Sequence, residues 1–181
     1  SRDGFNQYAP GDGLPILRGL VADLYRQRDQ LSIDPLEEIT ITSGATIAIF
    51  CAIQATVRAG DEVIIFDPSY DSYTPAVQLA GATPVHIASQ HPEFSVDWNQ
   101  VKDAINKRTR MIVVNTPHNP SGSVWSRADW QHLIELIRER NIVVLSDEVY
   151  EHLVFDGVQR HSAWSFPKLR ERSFVIGSFV K

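Results

Sequence analysis

The chain has 181 residues, of which 43% are hydrophobic and 22% charged. This composition is typical of a globular domain and excludes an intrinsically disordered chain. There are 17 lysines and arginines against 22 aspartates and glutamates, so the formal net charge is −5. An acidic chain without a basic run is a poor candidate for binding nucleic acid or an anionic membrane surface. No apolar stretch of the sequence is long enough to span a bilayer.

The sequence contains a single cysteine, Cys51. One cysteine excludes an internal disulfide and is typical of proteins in a reducing compartment, so we expect a cytoplasmic protein. Cys51 lies in a helical pattern beside Phe50 and Ile53 and is therefore expected to be a packed core thiol. The chain begins at Ser1 and ends at Lys181 directly after an apolar segment, as expected for part of a longer protein.

Helical and strand patterns alternate along the chain. Apolar residues recur at helical spacing in some segments, and short apolar or β-branched runs bounded by turn residues occur in others. The predicted helices are 14–31, 45–57, 74–79, 97–106 and 126–140. The predicted strands are 39–42, 63–66, 84–88, 111–114, 142–145 and 174–177.

Two of these helices have recognisable start signals. Asp97 is a typical N-cap residue, and Ser126 with Asp129 resembles a capping box. Strands that are apolar on both faces and separated by helices indicate a parallel sheet covered on each side. We therefore predict an α/β fold in the doubly wound style. Such sheets bind ligands beyond the carboxyl ends of their strands, so the residues that follow each strand are the candidates for a functional site.

The segment Ser43-Gly44-Ala45-Thr46 follows the first predicted strand and begins a helix. Small residues let backbone amides approach an anion, the helix N-terminus adds its dipole, and Thr46 adds a hydroxyl. The segment is therefore a candidate phosphate site. The alternative is an ordinary helix start, since the sequence has neither a P-loop nor a complete dinucleotide-binding motif.

Aromatic and amide side chains follow the next strands. Tyr70, in the segment 67–73, can stack on a planar ring, although a proline turn with a packed tyrosine is the simpler alternative. Asn119, between His118 and Pro120, can direct its amide toward a ligand, although loops of this composition are often only turns.

Charged residues follow the last two strands. Asp147 comes directly after a buried strand, where a carboxylate is costly without a cationic partner. Glu148, Glu151 and His152 do not have the spacing of a metal site, so we predict no metal and interpret the two glutamates as a solvated or ion-paired face. Lys181, after an apolar strand, can be desolvated into a neutral nucleophile, or it is simply a surface lysine.

Together and in this order, these clusters resemble the class I/II, fold-type I aminotransferases that depend on pyridoxal 5′-phosphate (PLP). The match is closest to the methionine/kynurenine aminotransferase branch and extends from about Phe5 to Lys181. It rests on four segments: Asn6-Gln7-Tyr8, 67–73 (DPSYDSY), 115–121 (NTPHNPS) and 146–152 (SDEVYEH). The resemblance implies a mainly parallel sheet sandwiched by helices, as in the PLP-binding large domain of that family.

The resemblance also implies three catalytic residues. Lys181 lies where the family forms a Schiff base with the cofactor aldehyde, and its freed amine then acts as the catalytic base. Asp147 lies where a carboxylate pairs with the pyridine nitrogen and keeps it protonated. Tyr150 lies where a hydroxyl donates a hydrogen bond to the 3′ oxygen of the cofactor.

Further residues match the family's cofactor-binding positions. Asn119 matches a second donor to the 3′ oxygen, and Tyr70 matches the aromatic residue that stacks on the pyridine ring. The matching phosphate-binding positions are Ala45, Thr46 and Ser178. Tyr8 matches a tyrosine that reaches the phosphate of the neighbouring subunit, so the resemblance implies a homodimer.

The activity implied by the resemblance is transfer of an amino group from an L-amino acid to a 2-oxo acid, with methionine, aromatic amino acids or kynurenine as donors. One alternative is a cysteine-conjugate β-lyase on the same scaffold. A more remote one is the aminotransferase-like sensor domain of a transcription regulator. Neither a nucleic acid nor a membrane is expected as a partner.

By the same resemblance, residues 1–181 are a partial PLP-binding large domain. The N-terminal arm, the rest of the large domain and the small domain, which supplies the arginine for the substrate carboxylate, lie outside it. One position departs from the family pattern: the residue before the lysine is usually glycine or alanine, whereas here it is Val180. A β-branched side chain at that position would crowd the lysine's bond to the cofactor.

Overall fold

A computed structural model describes residue 4 and residues 7–179 of the chain. The chain divides into two compact units, Ser1–Ser43 and Gly44–Lys181. Within the described ranges, the helices are all too short or too polar to cross a membrane.

The first unit contains one helix, α1 (Pro15–Asp29), which begins with a proline at its first position. Proline suits this position because its fixed φ is helical and its missing N–H would have no partner there. Arg18 of α1 is 4% exposed. Its guanidinium donates to the carbonyl of Pro35 at 2.6 Å and to that of Leu36 at 2.5 Å, and it pairs with Asp12. One buried arginine thus holds the segments before and after the helix.

The prediction of a strand at 39–42 is wrong. The segment has no strand ladder in the part of the chain that the structure describes. Its Ile41 amide donates one hydrogen bond, of 3.0 Å, to the carbonyl of Asp12. The β-branched residues have the right local preference, but β preference is expressed only where a neighbouring strand is available.

The second unit alternates helices and strands around a five-stranded sheet. Its helices are α2 (Ala45–Thr56), α3 (Tyr73–Leu79), α4 (Trp98–Ala104), α5 (Arg127–Ile137) and α6 (Pro167–Arg170), with a 3₁₀ turn at Ala163–Ser165. The strands are β1 (Glu62–Asp67), β2 (Thr83–Ala88), β3 (Thr109–Asn115), β4 (Val143–Asp147) and β5 (Ser173–Ile176). The strand order is β2-β1-β3-β4-β5, and every neighbouring pair is parallel.

Hydrophobic residues fill both faces of this sheet. On one face, Ile64, Ile112 and Val144 pack with Trp130 and Leu133 of α5. The residues that alternate with these along the strands pack on the other face, against α2 and α3. They are Val63, Ile65, Met111, Val113 and Leu145. The predicted α/β fold is therefore confirmed. The edge strand β2 differs from the inner strands, since Ile87 is its only buried residue.

Both predicted helix starts are confirmed. The carboxylate of Asp97 accepts hydrogen bonds from the amides of Asn99 at 3.0 Å and Gln100 at 3.3 Å. Ser126 and Asp129 form a reciprocal capping box. The Ser126 hydroxyl accepts from the Asp129 amide at 3.2 Å, and the Asp129 carboxylate accepts from the Ser126 amide at 2.8 Å.

The expectation that Cys51 lies in the core is wrong. Cys51 is exposed, whereas Ile49, Ala52 and Ile53 of the same helix are buried. Because α2 is apolar around most of its circumference, the spacing of its hydrophobic residues does not identify the face that is buried.

The side chains of Glu148 and Glu151 are both largely shielded from solvent and both pair with Arg160, so of the two predicted alternatives, a solvated or an ion-paired face, the ion-paired one is confirmed. Glu148 is the more buried of the two. Its side chain is 1% exposed and lies 3.0 Å from the Arg160 guanidinium. It also accepts hydrogen bonds from the Ser146 and Ser162 hydroxyls, at 2.9 and 3.0 Å, and from the Ala163 amide at 3.0 Å. Burial raises the pKa of Glu148 to about 7, because the loss of hydration outweighs Arg160 and the donors. These contacts hold the segment after β4 against residues 160–163.

Replacing Ser126 by alanine removes the acceptor for the Asp129 amide. We expect the free energy of unfolding to fall by about 1 kcal/mol, the usual cost of a lost N-cap. Urea denaturation measures the difference. Ser165→Ala, at an exposed position, is the control and is expected to change stability by less than about 0.5 kcal/mol. Equal losses in the two variants would contradict the contribution of the cap.

The raised pKa of Glu148 predicts a pH-dependent stability. Between about pH 4.5 and about pH 7 the folded protein binds more protons at Glu148 than the unfolded chain does. The free energy of unfolding should therefore decrease as the pH rises through this interval, by up to about 1.4 kcal/mol per pH unit. Glu148→Gln removes this contribution, so its stability should depend less steeply on pH in urea denaturation. Glu135→Gln, at an exposed glutamate, should keep the original slope, and the same slope in Glu148→Gln would contradict the assignment.

Candidate active site

The carboxyl ends of β1, β3 and β4 lie along one edge of the sheet, because the strands are parallel. A cavity of about 50 Å³ lies at this edge, beside the N-terminus of α2. Its lining residues come from four separate parts of the second unit: Ala45, Thr46, Ile49, Tyr70, Asn115, Asn119, Asp147, Val149 and Tyr150.

Six of the site residues predicted from the sequence line this one cavity: Ala45, Thr46, Tyr70, Asn119, Asp147 and Tyr150. Ser178 lies two residues after β5 and does not line it. Tyr8 belongs to the first unit and is fully exposed. Lys181 and its neighbour Val180 lie outside the described residues.

Asp147, the last residue of β4, is 3% exposed. Its Oδ2 accepts a hydrogen bond of 2.5 Å from the hydroxyl of Tyr73, the first residue of α3. Its Oδ1 accepts a longer one, of 3.3 Å, from the Val149 amide. Burial, followed by the charge of Asp147, raises the pKa of Tyr73 well above its usual value, so this hydroxyl remains a donor. The sequence analysis did not identify Tyr73.

Asn115, which the sequence analysis also did not single out, connects two parts of the site. Its Nδ2 donates to the backbone carbonyl of Asp147 at 3.0 Å, and its Oδ1 accepts from the backbone N–H of Asn119 at 2.8 Å. Asn115 and Asp147 are register partners in the β3–β4 ladder. The position of both residues at strand ends is the sequence signal that could have revealed this contact.

His118 connects the asparagine loop to the segment that carries Tyr70. Its Nε2 donates to the carbonyl of Pro68 at 2.8 Å, and its Nδ1 lies 2.6 Å from the Ser121 hydroxyl. Since a carbonyl oxygen can only accept, Nε2 carries the hydrogen. Burial lowers the pKa of His118, against the opposing effect of the bond to Pro68. His118 therefore links two loops whose neighbouring side chains line the cavity.

The N-terminus of α2 forms the other side of the cavity. Gly44 precedes it with a φ of 90°, a conformation that strongly favours glycine. The Thr46 hydroxyl lies 3.4 Å from the Tyr70 hydroxyl, and the Tyr70 ring meets Tyr73 edge to face with its centroid 5.7 Å away. The helix dipole and the unpaired amides of the first turn favour an anion at this end.

The cavity thus combines a buried carboxylate, a phenol and an amide with an aromatic ring and a helix N-terminus. A buried carboxylate binds a cation, and the helix N-terminus binds an anion. The arrangement suits a planar ring that carries a protonated nitrogen and, some distance away, a phosphate group.

Comparisons with known proteins agree with this chemistry. The family profile "Aminotransferase class I and II" matches residues 1–181. The chain is 46% identical over 178 residues to the methionine aminotransferase of Escherichia coli, covering 98% of this chain and 46% of that protein. It is 38% identical over 189 residues to human (Homo sapiens) kynurenine–oxoglutarate transaminase 3, covering 99% of this chain and 42% of that protein.

A solved structure has the same fold. The crystal structure of YbdL from Escherichia coli, which is described as having a methionine aminotransferase function, superposes with a TM-score of 0.96 at 46% identity. The match covers 98% of this chain and 47% of that one. The chain therefore spans about half the length of the curated relatives that it matches. A family match along its whole length and this shared fold show that the chain belongs to the class I and II aminotransferases.

Proposed function

We propose that the protein to which this chain belongs is a PLP-dependent aminotransferase that moves the amino group of an L-amino acid to a 2-oxo acid. The observation that carries the proposal is the convergence of Asp147, Tyr150 and Asn119 on one cavity with the N-terminus of α2. Family membership supports the same reaction class.

The residues of the cavity fit PLP. The buried carboxylate of Asp147 suits a protonated pyridine nitrogen, and the α2 N-terminus with Ala45 and Thr46 suits a phosphate. When bound, PLP supplies a conjugated ring that accepts the negative charge formed at the substrate Cα. Asp147 holds the proton on the ring nitrogen that makes this possible.

The other side chains of the site would bind the cofactor and orient it. Tyr150 and Asn119 would donate hydrogen bonds to the 3′ oxygen of the ring, and Tyr70 would cover one ring face and exclude water from it. Ser178 does not line the cavity, and we propose that its hydroxyl would join the phosphate site when the cofactor is bound. Lys181 would bind the cofactor aldehyde and, once displaced by the substrate amine, would take a proton from the substrate Cα. Asn115 and His118 support this set because they tie the Asn119 loop to Asp147 and to the segment of Tyr70.

We propose methionine, aromatic amino acids or kynurenine as amino donors. The names of two relatives, a methionine aminotransferase and a kynurenine–oxoglutarate transaminase, support this choice.

We also propose a homodimer, in which Tyr8 reaches the phosphate of the neighbouring subunit. The full exposure of the Tyr8 side chain is consistent with such a contact. Residues 1–181 would form part of the PLP-binding large domain of this protein, and the single cysteine supports a cytoplasmic location.

Labelling of the full-length protein tests the proposal. After incubation with PLP and reduction with borohydride, peptide mapping should find the cofactor on Lys181, because reduction makes the bond between lysine and aldehyde permanent. Lys168, an exposed lysine, is the internal control and should remain unlabelled. Absence of label from Lys181 in the full-length protein would overturn the mechanism.

Product analysis tests the reaction. The full-length protein, given methionine or kynurenine and a 2-oxo acid, should release the amino acid that corresponds to the oxo acid. A cysteine conjugate is the comparison substrate, because a β-lyase converts it to pyruvate and ammonia. Release of these two products from the conjugate, without any new amino acid from the first mixture, would contradict transamination.

A further inference from the structure

Tyr73 contacts the Asp147 carboxylate but does not itself line the cavity of the candidate site. The residue begins α3, is 2% exposed, and donates a hydrogen bond of 2.5 Å to Asp147 Oδ2. This is a contact between residues 74 positions apart in the sequence. It joins a helix on one face of the sheet to the end of a central strand.

The position of the hydroxyl gives Asp147 a defined orientation. A carboxylate can rotate about its last side-chain bond, and the Val149 amide, at 3.3 Å from Oδ1, is a weak restraint on this rotation. The much shorter bond from Tyr73 fixes Oδ2. Each carboxylate oxygen can accept more than one hydrogen bond, so the bond from Tyr73 does not by itself prevent Oδ2 from accepting an N–H.

The Tyr73 hydroxyl is also a donor that does not change with pH in the working range. Among the residues that the structure describes, the titratable groups that face it are Asp147, Tyr70 and Tyr150. Burial and these neighbours oppose its ionisation. It therefore cannot take the proton that Asp147 is proposed to hold on the ring nitrogen.

We propose that Tyr73 is a positioning residue, whose hydroxyl holds the Asp147 carboxylate in the orientation that binds the protonated ring nitrogen of PLP. The inference rests on the proposed function and adds a residue to it. A tyrosine that only fills space would act through its ring, which packs in the hydrophobic cluster with Ile53 and Val77. Tyr73→Phe separates the two roles, because phenylalanine keeps the ring and removes only the hydroxyl.

The experiment measures the affinity of the full-length apoprotein for PLP by fluorescence titration. We expect Tyr73→Phe to bind PLP about tenfold more weakly, the usual effect of losing a hydrogen bond to a charged group. Tyr25→Phe is the matched control, since Tyr25 is also a buried tyrosine but lies in the first unit, and its affinity should not change.

Measuring PLP affinity over a range of pH gives a second test, because a purely structural role of Tyr73 would not change the pH dependence of binding. Affinity should fall on the acid side as Asp147 becomes protonated. Removing a donor to the carboxylate makes its protonation easier, so in Tyr73→Phe this fall should occur at a higher pH. An unchanged midpoint in Tyr73→Phe would overturn the inference.

A double-mutant cycle with Asp147→Asn separates this inference from the proposed function. If Tyr73 acts through Asp147, the effect of Tyr73→Phe should largely disappear in the Asp147→Asn protein. Two outcomes would overturn the inference but not the proposed function. In the first, Tyr73→Phe weakens PLP binding equally in the unmodified and the Asp147→Asn protein. In the second, Asp147→Asn weakens PLP binding but Tyr73→Phe does not. If Asp147→Asn itself binds PLP as tightly as the unmodified protein, the proposed function is overturned, and the inference with it.

Discussion

A carboxylate buried at the end of a central strand is the constraint on which the candidate site depends. Removing such a group from water costs several kcal/mol unless donors or a cation compensate for the lost hydration. Around Asp147 part of this compensation comes from the distant Tyr73, at the start of α3, and part from the neighbouring Val149 amide, just beyond the strand. The asparagine loop is tied to the same strand end through the Asp147 carbonyl. The end of β4 therefore connects the parts of the chain around the cavity, through the Asp147 carboxylate to α3 and through the Asp147 carbonyl to the asparagine loop.

Much of the fold could be predicted because the relevant information is local. The strands β1, β3 and β4 are continuous apolar runs between turn residues, and the caps at Asp97 and Ser126 involve residues two or three positions away. The errors arise where the outcome depends on a distant partner. Residues 39–42 have strand composition but pair with no strand within the described part of the chain. Glu148 looks like a surface residue in the sequence, but it is buried against Arg160.

The residues of the candidate site also fall into those that the sequence could identify and those that it could not. Asn119, Asp147 and Tyr150 could be identified because they follow strands, and parallel strands bring their carboxyl ends together. Tyr73 could not, because its contribution is a contact with Asp147 across 74 residues. Asn115 was missed although it also lies at a strand end, because its contact with Asp147 spans 32 residues. An asparagine at a strand end and a tyrosine at a helix start are both common, and only the three-dimensional contact distinguishes them.

The register between β3 and β4 links the hydrophobic core to the polar site. Ile112 pairs with Val144 and Val113 with Leu145, and the same ladder ends with Asn115 beside Asp147. Displacing one strand by a single residue would turn each of its side chains to the opposite face of the sheet. The packing of the apolar side chains therefore sets the register of the two strands, and the register sets where the polar residues at the strand ends lie relative to the cavity. A substitution deep in the core that altered this alignment would change the geometry of the site without touching any residue that lines it.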